Sequence, residues 1–86
     1  MLKLMNSKIS GYLLKKKILK TTPSHYFKRY FTIQEGRMFE YTEEKSNEPY
    51  LSLNLKEMIK CNLHPSDNMT IVLEFKEGVF HFKAST

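Results

Sequence analysis

Gly11-Tyr12-Leu13-Leu14-Lys15 and Tyr26-Phe27-Lys28-Arg29-Tyr30-Phe31-Thr32-Ile33 decide how this chain folds. Both stretches are dense in aromatic and aliphatic side chains, which suit a pleated, half-buried surface. Between them lies Lys17–Ser24, and its Thr21-Thr22-Pro23-Ser24 is turn chemistry. The pair reads as two strands joined by a basic loop. Side chains alternate along a strand. Ile9, Gly11, Leu13 and Lys15 therefore share one face of the first strand, and Arg29, Phe31 and Ile33 share one face of the second. Leu13, Phe31 and Ile33 need a core. Lys15 and Arg29 then point the same way as that core, at strand ends flanking one loop. Two cations at the mouth of a β structure suggest an anion site.

Working outward, the spacing predicts strands over Lys8–Lys16 and Tyr26–Gln34. Gln34-Glu35-Gly36-Arg37 is a tight hairpin turn in which Gly36 takes the positive-φ position. Met38–Thr42 is a third strand, and Glu43–Pro49 a polar loop. Tyr50–Leu55 alternates cleanly and sends Leu51, Leu53 and Leu55 inward. Lys56-Glu57-Met58 is a bend, and Lys56–Lys60 has room for one helical turn. Ile59–Leu63 is a weaker strand, followed by the loop His64-Pro65-Ser66-Asp67-Asn68. Met69–Lys76 puts Ile71, Leu73 and Phe75 on one face, and Lys76-Glu77-Gly78 turns into Val79–Lys83, where Phe80 and Phe82 share a face. Seven short antiparallel strands at near-regular spacing predict a mainly β fold, a small barrel or orthogonal sandwich. The 86 residues suit one domain, read as residues 8–86 behind an N-terminal extension of residues 1–7.

The net charge is +5, which favours anionic partners. It is also polarised. Lys15, Lys16, Lys17, Lys20, Lys28 and Arg29 fall in a run with no acid, and the acids come later, from Glu35 on. Cys61 is the sole cysteine, so no internal disulfide forms, which fits a reducing compartment such as the cytoplasm. No apolar run approaches the ~20 residues of a membrane span. His25, His64 and His81 lack metal-ligand spacing, and no nucleophile motif, Gly-rich phosphate loop or carboxylate pair is present. The sequence therefore predicts no catalysis, no metal and no cofactor.

These motifs, in this order, resemble a pleckstrin homology (PH) domain. That family opens with Gly-aromatic-Leu-x-Lys, matched here by Gly11–Lys15. Its second strand ends Arg-aromatic-Phe-x-hydrophobic, similar to Arg29-Tyr30-Phe31-Thr32-Ile33. Met38-Phe39-Glu40-Tyr41, Leu53-Asn54-Leu55 and Val79-Phe80-His81-Phe82-Lys83-Ala84 resemble its third, fourth and last strands. The resemblance implies a seven-stranded PH-like barrel of two orthogonal sheets, closed at one end by a C-terminal helix. It also implies that the first loop faces membrane phosphoinositides, with Lys15 and Arg29 on the phosphates. The chain departs from the pattern in three places. Phe27 stands where a cation is common, Glu40 where a tyrosine is common, and Pro49-Tyr50-Leu51 supplies no cation. The helix has no counterpart up to Thr86, although Ser85 or Thr86 would cap one. A helix beyond Thr86, the segment Met1–Met5 or a second copy would then have to cover the open end.

The leading expectation is a membrane-targeting module, cytoplasmic and peripheral to the membrane, that binds anionic phospholipid with modest affinity. Lys15, Arg29, Lys28 and Lys17 would hold the headgroup, while Lys16 and Lys20 supply long-range attraction. Ile18 and Leu19 either insert into the interface or fold under the loop. Glu40 shares a face with Met38 and points inward, so it either pairs with Arg29 or Lys15, competing with phosphate, or is solvated. The alternative is a protein-interaction module on the same scaffold. A nucleic-acid-binding barrel would explain the interleaved aromatics and cations of Tyr26–Phe31. Against it, Phe31 is needed for the core, and seven strands exceed the count of the oligonucleotide-binding barrel.

Overall fold

The structure is a computed structural model describing residues 3–5 and 8–85. Its strands are β1 (Lys3–Met5), β2 (Lys8–Lys17), β3 (Phe27–Gln34), β4 (Arg37–Tyr41), β5 (Leu51–Asn54), β6 (Lys60–His64), β7 (Asp67–Phe75) and β8 (Gly78–Ala84). All pairings are antiparallel, and one hydrogen-bonded path runs β5-β4-β3-β2-β8-β7-β6. β1 lies off this path and pairs with the start of β2, Lys3 opposite Ser10. The fold is mainly β, with seven principal antiparallel strands as read from the sequence. The barrel, however, does not close. β5 and β6 are the two ends of a single sheet, not members of separate ones.

The sheet curls over its own core. Phe31 of β3, Met38 of β4, Leu53 of β5, Leu73 and Phe75 of β7, and Phe80 and Phe82 of β8 form one buried cluster. Phe31 and Phe82 meet edge-to-face at 5.5 Å. Each such side chain stabilises the fold by about 1.5–3 kcal/mol when fully buried. Leu51 and Leu55 are only partly buried against this cluster. Ile71 was expected inside but is 45 % exposed, as is its cross-strand partner Leu63 at 56 %. β6 ends the sheet, and the curl does not fold over it.

The turns explain where strands start and stop. Between β3 and β4, Glu35 and Gly36 have φ of 53° and 79°, so both central residues are left-handed. That two-residue geometry matches the natural twist of a hairpin. At the β6–β7 turn, Asp67 Oδ1 accepts from the Met69 N–H and Oδ2 from the Thr70 hydroxyl, both at 2.9 Å. This bracing starts β7 at Asp67, two residues before the expected strand, and reduces the loop to Pro65-Ser66. The expected helical turn is a 3₁₀ turn over Leu55–Glu57, capped by Asn54 Oδ1 accepting from the Lys56 N–H at 3.0 Å. No α-helix occurs among the described residues. Met1, Leu2 and Thr86, named above as covering or capping residues, lie outside them.

Candidate anion-binding mouth

A cavity of about 600 Å³ opens where the β2–β3 loop arches over the inner face of the sheet. Strand register places its charged floor. Lys15 stands opposite Phe27 on one side and Phe82 on the other, while Glu40 stands opposite Phe31 and Leu51. Every one of these positions faces inward. Lys15, Arg29 and Glu40 all line the cavity, as the alternation along β2, β3 and β4 requires.

Glu40 is 3 % exposed and takes both cations. The Lys15 ammonium donates a hydrogen bond to Oε1. Arg29 Nε lies 3.4 Å from Oε2, an ion pair without a formed hydrogen bond. A buried charge is costly unless it is paired, so the carboxylate and Lys15, itself buried, hold each other in place. Aromatic rings complete the surroundings. Lys15 Nζ is 4.7 Å from the Phe80 ring centroid, and Arg29 Cζ is 5.1 Å and 5.9 Å from those of Phe27 and Tyr50. With two cations and one carboxylate, the floor keeps a single net positive charge.

Lys17 joins this site from the rim. Its side chain passes over Gly78, where a Cβ would lie 3.0 Å from Lys17 Cε, and its ammonium is 5.9 Å from the Phe80 ring. Leu19 also lines the cavity, its N–H donating to Ser24 Oγ at 3.2 Å, while Ile18 is anchored by a backbone bond to Val79. Lys28 does not join. One residue before Arg29, it points to the opposite face and sits 5.1 Å over the Tyr12 ring. Lys16 is likewise on the outer face, 4.7 Å over Tyr26, and Lys20 is exposed in the loop.

Phe27, Tyr50, His25 and Glu77 also line the cavity, although the sequence assigns none of them a binding role. Phe27 was legible, because it has the parity of Arg29. Tyr50 was not. It precedes β5 and is drawn in by its N–H bonding the Glu40 carbonyl at 2.6 Å. No described helix is long and apolar enough to cross a membrane.

Known proteins share this architecture. The family described as PH domain matches residues 7–86. The PH domain of human pleckstrin homology domain-containing protein family A member 5 superposes with a TM-score of 0.71 at 20 % identity, covering 90 % of this chain and 62 % of that one. That of human oxysterol binding protein-related protein 11 gives 0.65 at 20 % identity, covering 94 % and 68 %. The C-terminal PH domain of pleckstrin, solved in complex with D-myo-Ins(1,2,3,5,6)P5, gives 0.64 at 16 % identity, covering 90 % and 77 %. At these identities the likeness is one of fold. The chain thus spans between 62 % and 77 % of the length of these solved chains. No curated protein matches the sequence.

Proposed function

The chain belongs to the PH domain family, and from that premise we propose that it is a non-catalytic module binding anionic phospholipid, phosphoinositide headgroups included, with modest affinity. The observation that carries this reading is the shared cavity of Lys15 and Arg29 beneath the basic loop. A phosphate entering it takes hydrogen bonds from these cations in competition with Glu40. Because Glu40 holds both, it acts as an internal competitor and keeps affinity modest. Lys17 supports the phosphate from the rim. Lys16, Lys20 and Lys28 add about 1 kcal/mol each near an anionic leaflet. The module would act at the cytoplasmic surface of a membrane, as a peripheral part of its host.

Co-sedimentation with neutral, phosphatidylserine and phosphoinositide vesicles tests this, with single-stranded RNA as control. Binding to the anionic vesicles alone, weakening with salt as exposed charges are screened beyond ~8–10 Å, is the expected result. Equal partition onto neutral vesicles, or none onto any, rejects it. A protein-interaction role is favoured by a different feature, the β6–β7 end of the sheet, where Ile59, Leu63, Met69 and Ile71 are exposed beside a strand edge that no described residue pairs. Such an edge accepts an added strand.

A further inference from the structure

The cavity has more room and more apolar wall than a phosphate alone would use. Its volume of about 600 Å³ falls in the range of sites that enclose a whole small molecule, roughly 300–1,000 Å³. Phe80 is buried at its floor, with the Lys15 ammonium 4.7 Å from the ring centroid. Leu51 lines the wall opposite Glu40, its cross-strand partner. Phe27 and Tyr50 stand at the mouth, 55 % and 67 % exposed, and the Arg29 guanidinium carbon lies 5.1 Å and 5.9 Å from their ring centroids. A group bound to Arg29 therefore has an aromatic ring beside it. Leu19, also exposed, and Pro23 close the loop side. The loop is tied near its start, where the Ile18 N–H donates to the Val79 carbonyl at 2.8 Å, and folded back where the Leu19 N–H donates to Ser24 Oγ at 3.2 Å. These apolar side chains stand in place before a ligand arrives. Large apolar groups gathered at one rim mark a binding surface.

Charge sets the other half of the ligand. Lys15, Lys17 and Arg29 line the cavity together with Glu40 and Glu77, three cations against two carboxylates. That leaves a surplus of one positive charge. A single phosphomonoester carries about −1.5 to −2 at neutral pH, so one such group already meets the surplus. Each further phosphate would face Glu40 or Glu77 with no cation left to offset the repulsion. Glu40 is buried and held by both inner cations, so it does not swing aside at no cost.

We infer that the cavity takes an amphiphile with one phosphomonoester on an apolar body, such as a phosphatidic or lysophosphatidic acid, and ranks it above headgroups with several phosphates. This assignment rests on the anion site proposed above and names the ligand class of that site. Arg29 and Lys17 donate to the phosphate, with Lys15 beneath. The apolar body lies along Phe27, Tyr50 and Leu19, covering side chains that water otherwise meets. Glu40 and Glu77 supply the discrimination, because they leave a second phosphate unpaired.

The test is calorimetric titration of the 86-residue chain with three soluble probes. They are dihexanoyl phosphatidic acid as monomer, glycerol phosphate, which has the phosphate without the apolar body, and an inositol tetrakisphosphate. A parallel arm uses phosphatidylcholine vesicles doped with phosphatidic acid or with phosphoinositide at equal total charge. The short-chain lipid should bind about tenfold or more tighter than either other probe, a gap that roughly two buried methylenes account for. Phe27→Ala/Tyr50→Ala, at two exposed positions, should weaken the lipid about fivefold and glycerol phosphate less. Glu40→Gln should favour the tetrakisphosphate more than the lipid and so narrow the gap. Preference for phosphatidic acid in both arms identifies the shared phosphomonoester and its apolar body as the ligand. Preference in solution only points to a free amphiphile, and on vesicles only to a lipid embedded in the membrane. Preference for the polyphosphorylated ligand in both arms overturns the assignment while the cavity stays an anion site. Glycerol phosphate binding as tightly as the short-chain lipid overturns it too. If no probe and no vesicle binds, the anion site itself falls, and the assignment with it.

Discussion

Lys15 and Lys16 are neighbours in the chain, yet their surroundings differ. Lys15 is buried and bonded to Glu40, beside an aromatic floor. Lys16 stands on the outer face with Lys28 and Lys83, over tyrosine rings and with no ion-pair partner among the described residues. Strand alternation splits the basic run between two environments with different rules. Inside, desolvation makes an unpaired cation costly, so a carboxylate is built in. Outside, water solvates each charge, and crowding costs little. A count of cations along the sequence therefore overstates the positive charge that the cavity offers to a ligand.

The largest expected effect comes from breaking the inner pair. Lys15→Met leaves Glu40 buried with only the 3.4 Å contact to Arg29. Urea unfolding should show a loss of about 3–5 kcal/mol, against roughly 0.5 kcal/mol or less for Lys16→Met. Similar losses at both positions would erase the distinction between the faces. A smaller contrast concerns vesicle binding. Arg29→Ala removes a charge-assisted hydrogen-bond donor worth roughly 1.5–3 kcal/mol, and Lys20→Ala a diffuse attraction of about 1 kcal/mol. Equal losses in co-sedimentation would mean one undivided patch.

The smallest effect is a pH dependence from the outer face. His81 is held below the ordinary value of 6.5, chiefly by burial and then by Lys16 and His64. The unfolded chain therefore takes up a proton that the folded chain resists. Stability should be full above about pH 6.5 and decline as pH falls through that value towards the lower folded pKa. Thermal melts across that range should show a shallower decline for His81→Gln. An unchanged slope would mean that neither burial nor the neighbouring Lys16 and His64 hold His81 below its ordinary value.

Much of this arrangement is legible in the sequence. Parity along three strands was enough to bring Lys15, Arg29 and Glu40 to one mouth, because each shares a face with a residue that needs the core. The same parity places Lys28 outside, a consequence that its position beside Arg29 obscures. What could not be read depends on pairing between distant strands. Lys83 meets Lys16 at Tyr26 only through the β2–β8 register, and His64 reaches His81 across β7 next to an irregularity at Leu63/His64. Local pattern carries no trace of either. The open edge at β6 was also hidden, since Ile71 alternates like a core residue and is left exposed only because the sheet ends beside it.

The central claim is that Glu40 engages both inner cations, offsets one of their two charges and thereby limits anion binding in the cavity. Glu40→Gln tests it most directly, since it removes the charge while keeping the shape and an acceptor. The measurement is the dissociation constant for phosphoinositide vesicles at fixed salt, with amide spectra confirming that the variant is folded. Binding should tighten about tenfold, equivalent to roughly 1.4 kcal/mol, and Glu40→Tyr should move in the same direction. An unchanged or weaker affinity in the folded Glu40→Gln variant would contradict the account.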